Sequence, residues 1–127
     1  KLLAGEPLTI FGDGEQTRDY VYVGDVVSAN LLASEIDLDV GGQLDDHAFN
    51  VGTGIATSVN KLADVLESIA GADLSREHKS GRPGELRHSA LNVDRLKSLG
   101  WAPGSTLERG LQETYTFIGR EMAGATE

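Results

Sequence analysis

Apolar residues occur along this chain in short blocks separated by polar, glycine-rich segments, and the spacing inside each block predicts its structure. In the clearest block they recur every three or four positions, which places them on one face of a helix. The residues of this face are Val59, Leu62, Ala63, Leu66, Ile69 and Ala70. Ser58 is suited to cap the first turn and Gly71 to end the last one, so the pattern predicts a helix over Val59–Ala70.

Three shorter blocks are rich in β-branched and aromatic residues and predict strands. They are residues 8–11, 19–23 and 48–51. Asp25 is placed to cap a helix that begins at Val26 and runs to about Ser34. An acidic, glycine-containing surface loop is expected over 35–47, and 74–86 is expected to be irregular or weakly extended.

Two further helices are predicted in the last third of the chain. Asn92 can cap a short helix that runs through Leu99 and is ended by Gly100, after which Trp101 folds back onto it as in a Schellman motif. A capping-box pattern then precedes an apolar stripe that predicts a terminal helix. The capping box is Ser105 and Glu108, and the stripe is Leu107, Leu111, Tyr115, Ile118 and Met122.

This alternation of short strands and helices predicts an α/β fold in which the helices supply most of the core. The strands are too short and too few for an independent sheet of typical size, so we expect some of them to complete a sheet that lies mostly upstream. The chain starts at Lys1 without an initiator Met, which suggests that it begins inside a longer protein. A chain of 127 residues is room for one small domain, and we expect a single domain over 1–127.

Composition narrows the classes of partner. The formal net charge of −9 argues against a nucleic-acid surface, which needs clustered Lys and Arg. No apolar run approaches the ~20 residues that span a bilayer, so no membrane segment is expected. The absence of Cys leaves no disulfide framework and no thiolate metal site, and His78 and His88 lack metal-ligand spacing. These features are compatible with a cytoplasmic protein that binds no metal.

The first candidate for chemistry is Arg18, which stands beside Asp19 at the start of an apolar block. A β-hairpin with a glycine-rich turn, followed by a capped helix, explains the surrounding glycines together with Asp13 and Asp25, but it does not explain this arginine. A guanidinium at such a junction presents a planar, permanently charged fork that suits a phosphate. Both interpretations stay open on these residues alone.

The second candidate is the loop with the sequence GRPGE at residues 81–85. It is either a surface loop with a Pro-Gly turn and solvated charges or one half of a diphosphate site. In the second case Arg82 meets phosphate and Glu85 accepts hydrogen bonds from ribose hydroxyls, since a carboxylate offers acceptor oxygens without a competing donor. Taken alone, the loop does not decide between the two.

Taken together, three blocks of the chain resemble one known family. The blocks are PLTIFGDGEQTRDYVYVGDV at 7–26, FNVGTG at 49–54 and GRPGELRHSALNVDRLKSLGWAP at 81–103. In order and spacing they closely resemble the C-terminal half of UDP-glucose 4-epimerases and related NAD-dependent nucleotide-sugar epimerases and dehydratases. The resemblance implies that this chain is the C-terminal, substrate-binding portion of an extended short-chain dehydrogenase/reductase fold, with the NAD-binding Rossmann domain missing upstream.

The resemblance also implies roles for residues of the two candidate motifs. Arg18 and Arg82 look like the two family arginines that contact the substrate diphosphate. Glu85 stands where related enzymes have an acidic residue that bonds the nucleotide ribose.

Three further residues look like the binding site of the nucleotide base. Thr9 and Phe11 resemble the strand edge that holds the base through backbone groups, with the Phe11 ring as a stacking wall. Tyr20 either lines the same pocket or packs in the core.

The motifs for chemistry on NAD do not occur in this chain. The family needs a glycine-rich turn between strand and helix for the cofactor pyrophosphate and a Tyr-x-x-x-Lys pair for catalysis. Gly52-Thr53-Gly54 is not such a turn, because no third glycine follows at the required spacing. We therefore expect no catalytic and no cofactor-binding residue here, with NAD held by the missing upstream domain.

The function that the resemblance implies is binding of a UDP-hexose for an NAD-dependent epimerase. In the intact enzyme, UDP-glucose and UDP-galactose would interconvert through a 4-keto intermediate, and a homodimer is expected. Two alternatives stay open: a 4,6-dehydratase or UDP-glucuronate decarboxylase with the same binding mode, or a nucleotide-binding module without chemistry.

Overall fold

The computed structural model describes residues 1–37 and 42–124 of the chain, in which short strands alternate with helices. The strands are β1 (Leu8–Phe11), β2 (Thr17–Arg18), β3 (Thr57–Ser58) and β4 (Arg76–Lys79). The helices are α1 (Val23–Glu35), α2 (Val59–Ala70), α3 (Asp94–Ser98) and α4 (Leu107–Gly124), with 3-10 turns at Leu2–Ala4 and Leu44–His47. The predicted α/β class is confirmed.

The first strand pair joins the two candidate motifs. β1 and β4 run parallel, with Leu8 opposite Arg76 and Phe11 opposite Lys79. A parallel pair needs a long crossover, and here the connection contains α1 and α2. The end of β1 therefore lies beside the start of the loop that carries GRPGE.

β2 is the centre of a second, smaller set of strands. It pairs antiparallel with β3. Thr17 also pairs with the residues around His88: its backbone N–H donates to the Arg87 carbonyl at 2.9 Å and its carbonyl accepts from Ser89 N–H at 3.2 Å. The TRDY block, residues 17–20, is thereby fixed between the residues before α2 and those that follow the GRPGE loop.

The core is built where α3 and Trp101, three residues beyond its end, pack on α1. Ala29, Leu96 and Trp101 form a buried cluster, and the Trp101 indole N–H donates to Ser28 Oγ at 2.9 Å. The predicted Schellman end of α3 is confirmed: Trp101 N–H donates to the Leu96 carbonyl at 3.4 Å, after Gly100 has adopted φ +89°. This turn brings the indole back onto the helix that precedes it.

The prediction of α2 is confirmed at both ends. Ser58 accepts a hydrogen bond from Lys61 N–H at 3.1 Å, and Gly71 ends the helix with φ +61°. Ala63 and Val65 are its buried residues, and the helix packs against α4. Local signals sufficed here because cap, apolar face and stop all agree.

The strand predicted over 19–23 is wrong, since α1 begins at Val23 with Tyr22 as its N-cap and no strand is present at 19–22. Tertiary contacts explain the difference. The Tyr22 ring lies against Gly110, where an added Cβ would be 3.1 Å from Tyr22 Cβ, and its hydroxyl donates to Glu113 Oε2 at 2.6 Å. The segment is therefore directed by α4 rather than by a neighbouring strand.

Asp25 does not cap its own helix at the predicted position. It lies in the first turn of α1, 6% exposed, and its carboxylate accepts from Gly104 N–H at 2.8 Å and Ser105 N–H at 3.2 Å. A buried carboxylate needs hydrogen-bond donors, and the loop before α4 supplies them. The residue is structural, but its duty is to join α1 to the start of α4.

The strand predicted over 48–51 is also absent from the described residues. Phe49 and Val51 pack instead against the cluster of Ala29, Leu96 and Trp101. The predicted loop 35–47 is shortened at both ends by Glu35 in α1 and by the 3-10 turn at Leu44–His47, and 38–41 lie outside the described residues.

β4 lies inside segment 74–86, which was predicted to be irregular or weakly extended, and it is a regular strand. Thr106, rather than Ser105, caps α4, because its Oγ1 accepts from Arg109 N–H at 3.3 Å. Within residues 1–37 and 42–124, no helix combines the length and apolar character needed to cross a membrane.

Candidate functional site

The backbone groups of Thr9 and Phe11 face away from β4. Leu8 and Gly12 donate their N–H groups to carbonyls on the β4 side at 3.0 and 2.8 Å. Because the backbone groups of successive strand residues face opposite edges, those of Thr9 and Phe11 point to the other edge of β1. At that edge Gln16 Nε2 donates to the Phe11 carbonyl at 2.8 Å. The two residues predicted to hold a base through their backbone thus lie on one strand edge, apart from β4.

The GRPGE loop forms a tight turn over residues 82–85, called here the 82–85 turn. Glu85 N–H donates to the Arg82 carbonyl at 3.2 Å, and Gly84 has φ +77°. Proline at the second position and a glycine of positive φ at the third are the pattern of a type II turn. The turn fixes the first and last residues, which are both predicted site residues, close to each other.

Arg82 lies over the ring of Phe11, with Cζ 4.1 Å from the ring centroid. Such a cation–π contact holds a guanidinium without neutralising its charge. The side chain is exposed, and among the described residues none of the ion pairs involves it. The face of Phe11 that was predicted to be a stacking wall is therefore in contact with the guanidinium of Arg82.

Arg18 is bonded to the far side of the same turn. Its Nη2 donates to Glu85 Oε1 at 3.1 Å, and its Nη1 donates to the carbonyls of Leu86 at 2.8 Å and Thr17 at 2.7 Å. The Arg18 and Glu85 side chains are about a third exposed, at 32% and 29%. The structure thus brings the two candidate motifs into direct contact, because Glu85 accepts from the Arg18 side chain and its backbone N–H donates to the Arg82 carbonyl.

Asp13 and Arg87 form a second link between the motifs. Arg87 Nη1 donates to Asp13 Oδ1 at 2.6 Å and Nη2 to Oδ2 at 2.9 Å, a two-pronged pair at the protein surface. The hydrogen bond from Arg87, assisted by one from Glu15 N–H, lowers the pKa of Asp13 to about 2. The pair connects the turn after β1 to Arg87, the second residue after the GRPGE loop.

Replacing Arg87 with alanine is expected to return the pKa of Asp13 from about 2 toward its ordinary value of 3.8, because the main hydrogen bond to the carboxylate is lost. Carbon-detected NMR titration of the Asp13 carboxyl measures the change. The pKa of Asp19, whose hydrogen-bond donors lie on Thr53, Gly54 and Leu91, serves as the internal control. An Asp13 pKa unchanged by the substitution would show that the pair does not form in solution.

The Asp19 carboxylate accepts hydrogen bonds from the GTG segment, residues 52–54. Its Oδ1 accepts from Thr53 N–H at 2.9 Å and from Thr53 Oγ1–H at 2.6 Å, while its Oδ2 accepts from Gly54 N–H at 2.8 Å. Burial alone raises the pKa of Asp19, but these hydrogen bonds outweigh it and the pKa is lowered. Gly52 must lack a side chain, since an added Cβ would lie 2.6 Å from Asp19 Oδ2. The backbone N–H groups of Thr53 and Gly54 are therefore engaged by a carboxylate of the protein itself.

Tyr20 lines a cleft that does not include Arg18, Arg82 or Glu85 among its lining residues. It lines a largely apolar cleft of about 660 Å³, together with Thr53, Ser58 and the start of α4. Burial raises the pKa of its phenol. Neither arginine nor Glu85 lines this cleft, but the charge of Arg18 acts against the rise in the pKa of the Tyr20 phenol, so Arg18 and Tyr20 are neighbours.

The sequence missed residues that position the site rather than form it. Gln16 bonds the β1 edge, Asp13 and Arg87 join the two loops, and Asp19 anchors the TRDY block. Opposite charges at Asp13 and Arg87 are visible in the sequence, but pairing them requires knowing that β1 and β4 are neighbours. No local pattern marks Asp19, because its partners are mostly backbone groups of a distant segment.

Comparisons with known proteins point to one family. The family model described as the NAD dependent epimerase/dehydratase family matches residues 1–52. A UDP-glucose 4-epimerase of Mycolicibacterium smegmatis is 43% identical over 118 residues, which cover 92% of this chain and 36% of that protein. The crystal structure of UDP-glucose 4-epimerase from Thermotoga maritima with UDP-glucose superposes with a TM-score of 0.84 and 44% identity, over 95% of this chain and 37% of that one. The chain belongs to this family.

A second solved structure shares the fold at lower sequence identity. UDP-glucuronic acid 4-epimerase from Bacillus cereus, solved with UDP-glucuronic acid and NAD, has a TM-score of 0.83 and 29% identity, over 94% of this chain and 37% of that one. The chain thus spans little more than a third of the length of the relatives it matches.

Proposed function

We propose that residues 1–127 are the nucleotide-sugar-binding part of a longer NAD-dependent UDP-sugar 4-epimerase. The similar proteins of known structure carry UDP-glucose or UDP-glucuronic acid, and both are named as 4-epimerases. In this proposal the chain binds the UDP portion and directs the hexose toward the rest of the enzyme. Its contribution to rate is orientation of the sugar, which converts an encounter of two reactants into a reaction within one complex.

The observation that carries the proposal is that both arginines adjoin the 82–85 turn. Arg82 is its first residue, and Arg18 is bonded to Glu85 and Leu86 at its end. The ends of such a turn have Cα atoms within about 7 Å of each other. In a chain with a net charge of −9, two arginines attached to one turn suit a single dianionic ligand such as a pyrophosphate.

The two arginines have different electrostatic roles in this proposal. The charge of Arg18 is balanced by Glu85, so its remaining N–H groups orient the diphosphate more than they attract it. Arg82 has no such partner ion among the described residues and supplies most of the attraction. Glu85 has Oε1 engaged by Arg18, which leaves Oε2 to accept from a ribose hydroxyl.

The base is assigned to the β1 edge. The backbone groups of Thr9 and Phe11 point away from β4, and a uracil offers the alternating donors and acceptors that a strand edge can pair. The Phe11 ring carries the guanidinium of Arg82 on one face, so any stacking by the base uses the rest of the ring. In this proposal the base lies at the β1 edge and the diphosphate at the 82–85 turn, with the ribose between them.

The GTG segment does not fit the pyrophosphate of NAD. A pyrophosphate needs backbone N–H groups at a glycine-rich turn, and those of the GTG segment already donate to the Asp19 carboxylate. We therefore assign NAD to the part of the protein outside residues 1–127. The family name and the NAD in the B. cereus structure support its use by the whole protein.

The full-length protein is expected to convert UDP-glucose to UDP-galactose and to bind UDP more tightly than dTDP. Product analysis and titration calorimetry measure the two results. Loss of water from the sugar would indicate the dehydratase alternative, and loss of carbon dioxide from UDP-glucuronate would indicate the decarboxylase. UDP binding without turnover of either sugar would indicate a binding module, and an absence of UDP binding would refute the proposal.

A further inference from the structure

We propose that Asp19 is a positioning residue for the diphosphate site, acting through Arg18 without touching the ligand. Its carboxylate ties the segment that carries Arg18 to the GTG segment and to the residues that follow the 82–85 turn. This inference rests on the function proposed above, because it assigns a role within the same site.

The contacts of Asp19 reach three separate parts of the chain. Oδ1 accepts both the N–H and the Oγ1–H of Thr53, at 2.9 and 2.6 Å. Oδ2 accepts Gly54 N–H at 2.8 Å and lies 3.5 Å from Leu91 N, at the limit of a hydrogen bond. All the donors are neutral and come mostly from the backbone. Each carboxylate oxygen is therefore hydrogen-bonded to a part of the main chain whose position the fold determines. One side chain thus joins the TRDY block, the GTG segment and the segment after the GRPGE loop.

The effect on Arg18 follows from its place in the chain. Arg18 precedes Asp19 directly, and Thr17 before it is hydrogen-bonded to Arg87 and Ser89. The backbone of Arg18 is therefore held on one side by strand pairing and on the other by the Asp19 carboxylate. Without the second hold, the backbone after residue 18 is released, and the direction of the Arg18 guanidinium depends on strand pairing and on its hydrogen bonds to Thr17, Leu86 and Glu85.

An amide cannot replace the carboxylate at this position. In either orientation of an asparagine, an NH₂ group would face donors: the two of Thr53 or the N–H groups of Gly54 and Leu91. Asp19→Asn therefore removes acceptors while hardly changing the size of the side chain. Gly52→Ala disturbs the same junction from the opposite side, because its Cβ would lie 2.6 Å from Asp19 Oδ2 and 3.1 Å from Leu91 Cδ1.

The test is a double-mutant cycle in the full-length protein, with UDP affinity measured by calorimetry. Asp19→Asn alone is expected to weaken UDP binding about tenfold, and in the Arg18→Ala background by less than about twofold, as expected for residues that act as a unit. Steady-state kinetics should show a raised KM with little change in kcat, since uniform binding is what is lost. Thermal melts of each variant report on folding.

A milder variant keeps the test decisive if Asp19→Asn does not fold. Thr53→Val removes only the Oγ1–H donor and retains both backbone hydrogen bonds, and it is expected to weaken UDP binding about threefold, with the same loss of effect in the Arg18→Ala background. An equal loss of affinity in both backgrounds would overturn the proposal, as would a lowered melting temperature with unchanged UDP affinity. Unchanged affinity in Arg18→Ala itself would instead refute the proposed function.

Discussion

Arg82→Ala is expected to weaken UDP binding by the full-length protein by about 1.5–3 kcal/mol, roughly ten- to 150-fold in the dissociation constant. The range is that of a hydrogen bond to a charged group. Arg82 stands on the Phe11 ring and has no carboxylate partner in the described residues, so its charge is available to the diphosphate. Removing it leaves the site with an arginine that Glu85 already neutralises.

Arg120→Ala is the matched control, because it removes the same charge from an exposed position on α4. Calorimetry of both variants at two salt concentrations separates a specific contact from a general change of charge. Arg18→Ala should fall in the same range as Arg82→Ala. It also leaves the Glu85 carboxylate unbalanced, so adding Glu85→Gln to it should restore part of the loss. Equal affinities for Arg82→Ala and Arg120→Ala would exclude a diphosphate role for Arg82.

Leu96→Ala is expected to lower the free energy of unfolding by about 2–5 kcal/mol, the usual effect of deleting a large buried side chain. Leu96 is 1% exposed and packs with Ala29 and Trp101 at the contact between α3 and α1. The cavity would open at the point where the Schellman turn returns the indole to the helix. A loss of this size is a large fraction of the stability of a typical domain.

Urea unfolding followed by tryptophan fluorescence measures this effect, because Trp101 is the sole Trp of the 127-residue chain and lies beside the substituted position. Leu99→Ala is the control: it makes the same chemical change three positions later, at a side chain that is 37% exposed. It is expected to cost less than about 1 kcal/mol. Comparable losses for the two variants would show that the Ala29–Leu96–Trp101 cluster is not the core of this region.

The sequence predicts this fold best where one segment contains all the information. The cap, apolar face and stop of α2 lie within a single stretch, and the Schellman end of α3 needs only Gly100 and the residue after it. The strand predicted over 19–23 fails for the opposite reason. Its aromatic residues satisfy strand propensity, but Tyr22 is directed by Gly110 and Glu113 of α4, which propensity does not include.

In the candidate site, too, the sequence indicates the residue types but not the contacts between distant segments. Residue types at Arg18, Arg82 and Glu85 indicate anion and hydroxyl chemistry, and the family resemblance groups them before any geometry is known. That Glu85 is bonded to Arg18, or that Phe11 lies under Arg82, depends on the parallel pairing of β1 with β4, which connects residues nearly seventy positions apart. Neither pairing leaves a local signal.

The contact between Phe11 and Arg82 has a consequence for how selectivity can change in this family. In the proposed complex, the peptide groups at position 11 read the nucleobase while its aromatic ring steadies the cation that meets the diphosphate. Two ends of one ligand are thus sensed through a single amino acid. A side-chain substitution there would remove the support of the cation but keep the peptide groups that read the base, so affinity for the diphosphate can change while base preference stays the same.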